Sequence, residues 1–350
     1  MNILVNGIGC PDSGTRVVLM ELLKCAPPGH TYFAMIVRSK ESIDQRLPEN
    51  VKVKYYNHKI WGKYFRILLE LKINFVLLIG KFDRLINLSH YGLVFTKKQF
   101  LFIHNALLFE SKFERGFGNG RPNVLIDIIL SHCLNKVDRI YVQTNQMENI
   151  VSEYAHRKRI KNLSTIRVLK PLPVSSEAFV IADRFKVQKQ VGQFILFYPT
   201  KEVTYKKNQL AVDSARHLFP GINLCLYITL DGVDEQSVRY LGRMQREEVL
   251  RMMQGCDALL FPSEFESLGL PLLEALNYEK PAVLPDLPYA REIYGSAGVY
   301  FKDHTVSSVS GAIVTLKENY NEISRLVASR KQHEWTERLT WSQHWEYFLS

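Results

Sequence analysis

The chain has 350 residues, of which 46% are hydrophobic and 23% charged, and this composition is typical of a soluble globular protein with about two domains. Its five cysteines are scattered and include no Cys-x-x-Cys pair, which disfavours a disulfide framework or a zinc site and favours a reducing compartment. The net charge of +10 is uneven, with 29 basic and 15 acidic residues in 1–200 but 16 and 20 in 201–350, so the first half is expected to meet an anionic surface.

The first half of the chain alternates short apolar strands with helical patterns. The N-terminus enters a strand directly, without a basic leader and cleavage site, so we expect a cytoplasmic protein. In the loop after that strand, Gly14 stands at a helix start, where a small residue lets the backbone approach a ligand closely. The loop lacks Gly-x-Gly-x-x-Gly, which disfavours a dinucleotide cofactor, and a plain turn is equally consistent. Strands are predicted at residues 3–6, 32–37, 84–89, 100–104 and 139–143, and helices at 14–25 and 123–134.

Residues 51–100 hold ten basic residues against two acidic ones. Lys59, Lys63 and Arg66 recur at helical spacing among large apolar side chains, so a basic amphipathic helix is predicted over about 59–81. The apolar run is broken by Lys72 and is too short to span a membrane. We expect this helix to dock on an anionic membrane, and a core helix with a basic outer stripe is the alternative. A nucleic-acid partner is disfavoured because the basic half has no recognition-helix motif or interleaved aromatic and basic residues.

The alternation of strand and helix restarts after a proline-containing stretch at 170–177. The predicted class is therefore α/β, with two doubly wound, Rossmann-like domains facing a central cleft and ligands at the carboxyl ends of the strands. We place the domains at 1–180 and 181–333, followed by an aromatic-rich helix at 334–350 that caps its own domain or crosses back to the first. Strands of the second half are predicted at residues 194–198, 223–228, 258–261, 282–284 and 298–301.

The most informative stretch of the second half is residues 261–275, FPSEFESLGLPLLEA. It follows a predicted strand, with Gly269 at a tight backbone point and Pro271 in the first helical turn, where proline is favoured. The free N–H groups and positive dipole end of such a helix suit a phosphate. Glu266 and Glu274 flank this helix start, so their carboxylates can accept hydrogen bonds from hydroxyls on either side. The pattern indicates a binding site for a nucleoside diphosphate carrying a sugar.

This string resembles the motif of the retaining glycosyltransferases of family 4, of the bacterial surface-polysaccharide type, in which seven residues separate two glutamates. The resemblance implies the GT-B fold and a nucleotide-sugar donor. It implies that Glu274 binds the ribose hydroxyls and that Glu266 binds hydroxyls of the donor sugar. Ser267 departs from the family, which usually has glycine there. Backbone N–H groups near the sugar and diphosphate would come from Leu268, Gly269 and Leu270.

Further positions extend the same resemblance. Lys207, followed by Asn208, matches the family lysine that neutralises the departing diphosphate. The family also has an arginine in this loop, and this sequence has no clear match to it; Lys201 or Lys206 would take its place. Backbone at Arg243 and Met244 would frame the base. Gly14 would meet donor phosphate and acceptor, and His104 would stand near the reacting sugar. The last helix of such enzymes crosses back to the first domain.

The sequence therefore predicts a retaining hexosyltransferase that acts on a saccharide or polyprenyl-diphosphate-linked acceptor at the inner face of the cell membrane. No protein nucleophile is evident, so front-face attack is expected, with Glu266, Lys207 and His104 in the catalytic roles. The histidines form no His-Glu-x-x-His set and there is no Asp-x-Asp, so we expect neither a metal nor a cofactor. The alternatives are a nucleotide-sugar epimerase on the same fold and a non-catalytic basic protein that binds nucleic acid or membrane.

Overall fold

The computed structural model describes residues 1–10, 13–37, 47–56, 73, 75, 82–88, 99–106, 109, 124–161, 163, 165–172 and 190–350. The chain divides into two compact units, one made of Met1–Pro171 with Arg338–Ser350 and the other of Leu172–Glu337. The predicted helix at 59–81 lies outside the described residues, apart from residues 73 and 75. Each unit is an α/β domain built on one parallel sheet, which confirms the predicted fold class.

Regular elements cover most of the described residues. The strands are β1 (Asn2–Gly7), β2 (Thr31–Val37), β3 (Val51–Tyr56), β4 (Arg84–Asn87), β5 (Gln99–Ile103), β6 (Arg139–Val142), β7 (Ile166–Val168), β8 (Phe194–Tyr198), β9 (Leu224–Ile228), β10 (Val238–Tyr240), β11 (Ala258–Leu260), β12 (Ala282–Pro285) and β13 (Val299–Phe301). The α-helices are α1 (Ser13–Lys24), α2 (Val124–Leu134), α3 (Asn145–Arg157), α4 (Asn208–Leu218), α5 (Arg246–Gly255), α6 (Leu270–Asn277), α7 (Pro288–Tyr294), α8 (Val306–Glu318), α9 (Tyr320–Glu337) and α10 (Trp341–Leu349).

The first unit contains a seven-stranded sheet in the order β3-β2-β1-β4-β5-β6-β7, with every pair parallel. The strand order reverses between β1 and β4, so this is a doubly wound sheet. Its central strands β1 and β5 are almost wholly buried and contain the apolar runs ILV and FLFI, because a parallel sheet is covered on both faces. The edge strand β3, with the sequence VKVKYY, is mostly exposed or half-buried, and lysines on such an edge oppose pairing with another chain.

The second unit repeats this plan with a six-stranded parallel sheet in the order β10-β9-β8-β11-β12-β13. Strands β8, β9, β11 and β12 are buried at every position. The reversal of strand order falls between β8 and β11, and ligands of doubly wound sheets bind outside the carboxyl ends of the strands at this point. The loops that leave β8 and β11 are the ones that carry Lys207 and Glu266.

Helix α10 belongs to the first unit although it ends the chain. Trp345 is 1% exposed, and its indole Nε1 donates a hydrogen bond to the carbonyl of Leu22 in α1 at 2.7 Å. Tyr141 and Arg84, on strands of the first sheet, donate to the carbonyls of Tyr347 and Phe348 at 2.8 and 2.9 Å. The helix begins with a capping box formed by its N-cap threonine and the glutamine three residues later. These contacts attach the C-terminal segment to the N-terminal sheet.

Candidate functional site

The loop after β11 is held in place by buried polar contacts. Ser263 is fully buried, and its carbonyl accepts a hydrogen bond from the hydroxyl of Tyr289 at 2.5 Å. Burial raises the pKa of the Tyr289 phenol well above its usual value, so this hydroxyl stays protonated and acts as a donor. The loop ends at Gly269, the N-cap of α6, whose φ of +67° lies in the left-handed region that glycine adopts without strain. Pro271 lies in the first turn of α6, as expected.

Glu266 forms a largely buried ion pair with Lys206. The Glu266 carboxylate contacts the Lys206 ammonium and accepts a hydrogen bond from the Ser263 hydroxyl at 2.7 Å. The Lys206 and Glu266 side chains are only 10% and 14% exposed. The ammonium also lies 4.8 Å from the centre of the Phe261 ring, a cation–π arrangement. The site therefore contains a positive charge beside the carboxylate that is expected to hold the donor sugar.

Lys207 lies next to this pair but has a different partner. Its ammonium is 3.0 Å from the carboxylate of Glu264, and both side chains are about a third exposed. Lys207 has a φ of +53° because it ends the short 3-10 helix Thr204–Lys206 and is also the N-cap of α4. The backbone N–H of Glu264 donates to the carbonyl of Tyr205 at 2.8 Å. The loops after β8 and β11 are thus joined by two ion pairs and a backbone hydrogen bond.

Glu274 lies in α6 and is 3% exposed. Its Oε1 is 2.7 Å from Nη1 of Arg246, the first residue of α5, in an ion pair that lacks hydrogen-bond geometry. Helix α5 starts with a capping box in which the Gln245 backbone N–H donates to the Glu248 carboxylate at 2.6 Å. The capped start of α5 fixes the backbone from which Arg246 reaches the second glutamate of the motif.

The other predicted donor-site residues lie in loops of the second unit. Ser267 and Leu268 lead into Gly269, and Leu270 begins α6. Arg243 and Met244 lie between β10 and α5, after Gly242, whose φ is +65°. Lys201 is exposed in the loop after β8, and its carbonyl accepts a hydrogen bond from the Asn208 amide at 2.9 Å. None of these contacts assigns a role to the Lys201 side chain.

An open pocket of about 340 Å³ lies beside the start of α4. Asp231 and Glu235 contribute carboxylates to its lining, and Glu235 pairs with Arg216. The carboxylates at this place disfavour a phosphate, because like charges repel. The pocket is lined by Asn208, Gln209, Val212, Leu230, Asp231, Gly232, Val233, Glu235 and Tyr240.

Two predicted site residues belong to the first unit. His104 directly follows β5 and is 6% exposed, with its Nε2 3.8 Å from the Cys10 sulfur. Gly14 lies in the first turn of α1. At the ends of β1 and β4, the Asn6 amide donates to the Asn87 side-chain oxygen at 3.1 Å. The first sheet therefore has buried polar side chains at its carboxyl edge, where a doubly wound domain binds ligands.

Among the described residues, three side chains of types that bind metal ions come together on α9. Ligand atoms of His333, Glu334 and Glu337 on α9 lie within 4.8 Å of one another. Glu334 is 1% exposed and pairs with Arg330, which already satisfies its charge. No helix in the described part of the chain combines the length and apolarity needed to cross a membrane.

The sequence identified both glutamates of the motif and the loops that carry them, but it missed two of their contacts. It gave no role to Glu264, which pairs with Lys207. It gave no role to Arg246, which is the ion-pair partner of Glu274. The available signal for Arg246 was a basic residue at a helix start, four positions after Gly242. Nothing in the spacing of the sequence links Arg246 to Glu274, which lies 28 positions later.

Two all-parallel doubly wound sheets in one chain define the GT-B class of fold. HepE from Anabaena, in complex with UDP and glucose, matches this structure with a TM-score of 0.70 and 13% sequence identity over 99% of this chain and 98% of that chain. WaaG, a glycosyltransferase involved in lipopolysaccharide biosynthesis, matches with a TM-score of 0.65 and 13% identity over 95% and 94% of the two chains. At these identities the likeness concerns the fold.

Sequence similarity is concentrated in the second unit. Residues 234–333 match the family described as glycosyl transferases group 1, and this segment includes Glu266 and Glu274. The O-antigen chain mannosyltransferase B of Escherichia coli is 30% identical over 108 residues, which are 30% of this chain and 28% of that protein. The serotype-specific mannosyltransferase WbdA of Escherichia coli is 30% identical over 110 residues, 31% of this chain and 13% of WbdA. The chain thus spans less than a third of the length of these relatives.

Proposed function

We propose that this protein is a retaining glycosyltransferase that transfers a hexose-type sugar from a nucleoside diphosphate donor to a saccharide or polyprenyl-diphosphate-linked acceptor in surface polysaccharide synthesis. The observation that carries the proposal is the position of Glu266 and Glu274. Both lie within the matched segment, and the loop that carries Glu266 leaves the sheet where the strand order reverses. The names of the Escherichia coli relatives and of WaaG support the polysaccharide context.

In this proposal, the second unit binds the donor. Glu274 accepts hydrogen bonds from the ribose hydroxyls, since a carboxylate offers two acceptor oxygens to two adjacent hydroxyls. Glu266 binds hydroxyls of the donor sugar, and the N-terminus of α6 receives the diphosphate. The backbone at Arg243 and Met244 frames the base. The helix start would present the amides of Leu268, Gly269 and Leu270, and the side chain of Ser267 would tighten the loop or touch the sugar.

The proposed chemistry exchanges one bond at the anomeric carbon for another on the same face of the sugar. The bond from this carbon to the phosphate oxygen breaks as the acceptor oxygen attacks, and the acceptor proton passes to the departing phosphate. Lys206 and Lys207, both on the loop that enters α4, supply positive charge for the diphosphate, which is electrostatic stabilisation of the developing charge. This route uses no metal and no cofactor. The roles of His104 and Gly14, in the first unit, remain predictions.

The first test is calorimetric binding of uridine, guanosine, thymidine and cytidine diphosphate sugars to the wild type and to Glu274→Ala. We expect one nucleotide to bind and its Kd to rise about 10-fold to 100-fold in the variant, because lost hydrogen bonds to a buried charged group cost about 1.5–3 kcal/mol. Glu318→Ala, at an exposed position at the end of α8, is the matched control. Failure of every donor to bind the wild type contradicts the enzyme proposal.

The products distinguish the proposed reaction from its alternatives. A retaining transferase releases the nucleoside diphosphate only with an acceptor and gives a product with the donor's anomeric configuration, which is read by NMR. Conversion of the nucleotide sugar to an epimeric sugar without any acceptor would instead establish the epimerase, whereas release of the unchanged sugar would be hydrolysis.

We also propose that the protein works at an anionic membrane surface, at the inner face of the cell membrane. The support is the charge of residues 1–200, with 29 basic against 15 acidic residues. Binding to vesicles of anionic lipid should exceed binding to neutral vesicles and weaken with salt. Binding to RNA or DNA in preference to anionic vesicles would favour the nucleic-acid alternative.

A further inference from the structure

Arg246 and Glu274 form an ion pair between the first turn of α5 and helix α6. The Nη1 of Arg246 lies 2.7 Å from Oε1 of Glu274. The glutamate side chain is 3% exposed and the arginine side chain 25% exposed. A carboxylate this far removed from water needs a compensating charge, and Arg246 provides it.

The hydrogen-bonding capacity of this pair is mostly unused. Nε and Nη2 of Arg246 are buried, and neither has a hydrogen-bond acceptor among the residues that the structure describes. Oε1 of Glu274 likewise accepts no hydrogen bond, although it contacts the guanidinium. A guanidinium carries five N–H donors, and buried polar groups in proteins are almost always bonded. A cluster of buried donors and acceptors without partners is the arrangement of a site that an additional polar molecule completes.

The position of Arg246 indicates which part of a ligand completes the site. Arg246 lies three positions after Arg243, where the backbone is proposed to frame the base, and its side chain contacts Glu274, which is proposed to bind the ribose. The ligand group must offer acceptor atoms to the arginine, and the hydroxyls and carbonyl groups of a nucleoside do so. The Arg246 side chain is 25% exposed although Nε and Nη2 themselves are buried, so a ligand reaches these donors by a shift of the arginine side chain.

We propose, resting on the donor site described above, that Arg246 is a further nucleoside-binding residue of this protein. Its free N–H groups donate to an acceptor oxygen of the donor nucleoside, and Nη1 keeps the Glu274 carboxylate oriented toward the ribose hydroxyls. A lysine cannot replace it, because an ammonium is a point charge without the planar fork of donors that can hold a carboxylate and a second acceptor together. Arg246 thus contributes to affinity for the nucleotide.

The test compares ribonucleoside and 2′-deoxyribonucleoside diphosphates by calorimetry on the full chain. The panel consists of UDP, GDP, dTDP and CDP, the nucleotides of the first test, and the one that binds the wild type is measured again with the other sugar, 2′-deoxyribose in place of ribose or the reverse. The variants are Arg246→Gln, Arg246→Lys, which keeps the positive charge beside Glu274, and Glu274→Gln. Arg251→Gln is the matched control, since Arg251 is an exposed arginine on the same helix.

Both Arg246 variants should raise the Kd at least tenfold for the ribo and deoxy forms alike, because the guanidinium donates to the nucleoside itself. Glu274→Gln should weaken the ribo form more and reduce the preference of the wild type for it. Arg251→Gln should leave all values unchanged. A circular-dichroism melt confirms that each variant is folded, and Arg246→Lys retains a cation against the buried carboxylate if Arg246→Gln does not fold.

Three results would overturn the assignment. An unchanged or lower Kd in Arg246→Lys and Arg246→Gln would mean that the arginine is a bystander or covers Glu274 only in the empty site. If the Arg246 variants weaken binding of the ribonucleotide but not of its 2′-deoxy form, Arg246 acts solely through Glu274. Failure of all four nucleotides to bind the wild type would overturn the proposed function together with this assignment. If a nucleotide binds the wild type and its Kd is unchanged in the Arg246 variants, only this assignment is overturned.

Discussion

At the level of single residues, the Lys206–Glu266 pair differs from its neighbour Lys207–Glu264 mainly in burial. Removing one partner of a buried pair leaves the other charge uncompensated, which costs several kcal/mol, whereas exposed pairs contribute little. We therefore expect Lys206→Met to lower the free energy of unfolding by about 2–4 kcal/mol, since both side chains of that pair are at most 14% exposed. Urea unfolding of the full chain measures the change.

Lys207→Met is the matched control for this prediction. Its pair with Glu264 is about a third exposed on both sides, so its removal should change stability by no more than about 1 kcal/mol. Adding Glu266→Gln to Lys206→Met should recover part of the loss, because the uncompensated charge is then also gone. Equal effects of the two lysine substitutions would show that Glu266 is hydrated in solution.

A second residue-level prediction concerns pH. His344 is fully buried, and this burial lowers its pKa below 6.5, although two backbone carbonyls that contact its ring act in the opposite direction. The unfolded chain therefore takes up a proton near pH 6.5 that the folded chain does not. Stability is complete above this pH and decreases as the pH falls toward the folded pKa, by at most about 1.4 kcal/mol per pH unit from this one group.

The measurement compares urea unfolding at pH 7.5 and pH 5 for the wild type and His344→Gln. The variant should lose less stability on acidification than the wild type does. His333→Gln is the matched substitution at an exposed position, since 62% of the His333 side chain is exposed. An identical acid loss in the wild type and His344→Gln would show that His344 is protonated in the folded protein.

The residues of the motif were predictable because their types and order are local. A proline after a glycine at a helix start, flanked by two glutamates, fixes a loop and a helix within 15 residues of sequence. The partners of those glutamates were not predictable in the same way. Glu274 meets Arg246 only because two helices pack against each other, and Glu266 meets Lys206 only because β8 and β11 are neighbours in the sheet.

At the level of elements, the start of α6 depends on Gly269. Its φ of +67° is unfavourable for any residue with a Cβ atom, but a Cβ at this position would find its nearest neighbour 3.6 Å away. The cost of Gly269→Ala is therefore conformational, about 1–2 kcal/mol, rather than steric. Because the backbone at this helix start is proposed to bind the diphosphate, the Kd for the donor nucleotide should rise as well.

Gly311→Ala provides the contrasting case. Gly311 lies inside α8, and a Cβ there would have no atom within 4 Å. Alanine should stabilise the protein by about 0.5–1 kcal/mol, since glycine loses more backbone freedom in a helix interior. Opposite signs for the two substitutions in urea unfolding support this explanation, and a neutral Gly269→Ala would contradict the left-handed backbone at position 269.

Strand prediction succeeded in the centre of each sheet and at the edge strand β13, but it failed at both edges of the first sheet. Central strands such as β8 are buried at every position and appear as uninterrupted apolar runs. The edge strands β3 and β7 were missed, because β3 alternates valine with lysine and β7 has only three residues. An edge strand is solvated on its open side, so its sequence resembles a polar loop more than a strand.

At the level of the whole molecule, the first unit contains two separate segments of the chain, Met1–Pro171 and Arg338–Ser350. The buried apolar residues of the described part form separate clusters, and Trp345 and Phe348 of α10 belong to a cluster of the first unit. Removing a large buried aromatic side chain costs about 3–5 kcal/mol. Trp345→Ala should therefore destabilise the first unit, although residue 345 lies near the end of the chain, and leave the core of the second unit intact.

Hydrogen exchange followed by mass spectrometry separates the two effects. In Trp345→Ala, amides of β1, β4 and β5 should lose protection while those of β8 and β9 keep it. Trp335→Ala is the matched variant, because Trp335 is only ten residues earlier but packs on the core of the second unit. It should give the reverse pattern with a smaller loss, since its side chain is only partly buried. Loss of protection in both units for either variant would mean that the two cores unfold as one cooperative system, which the separate clusters argue against.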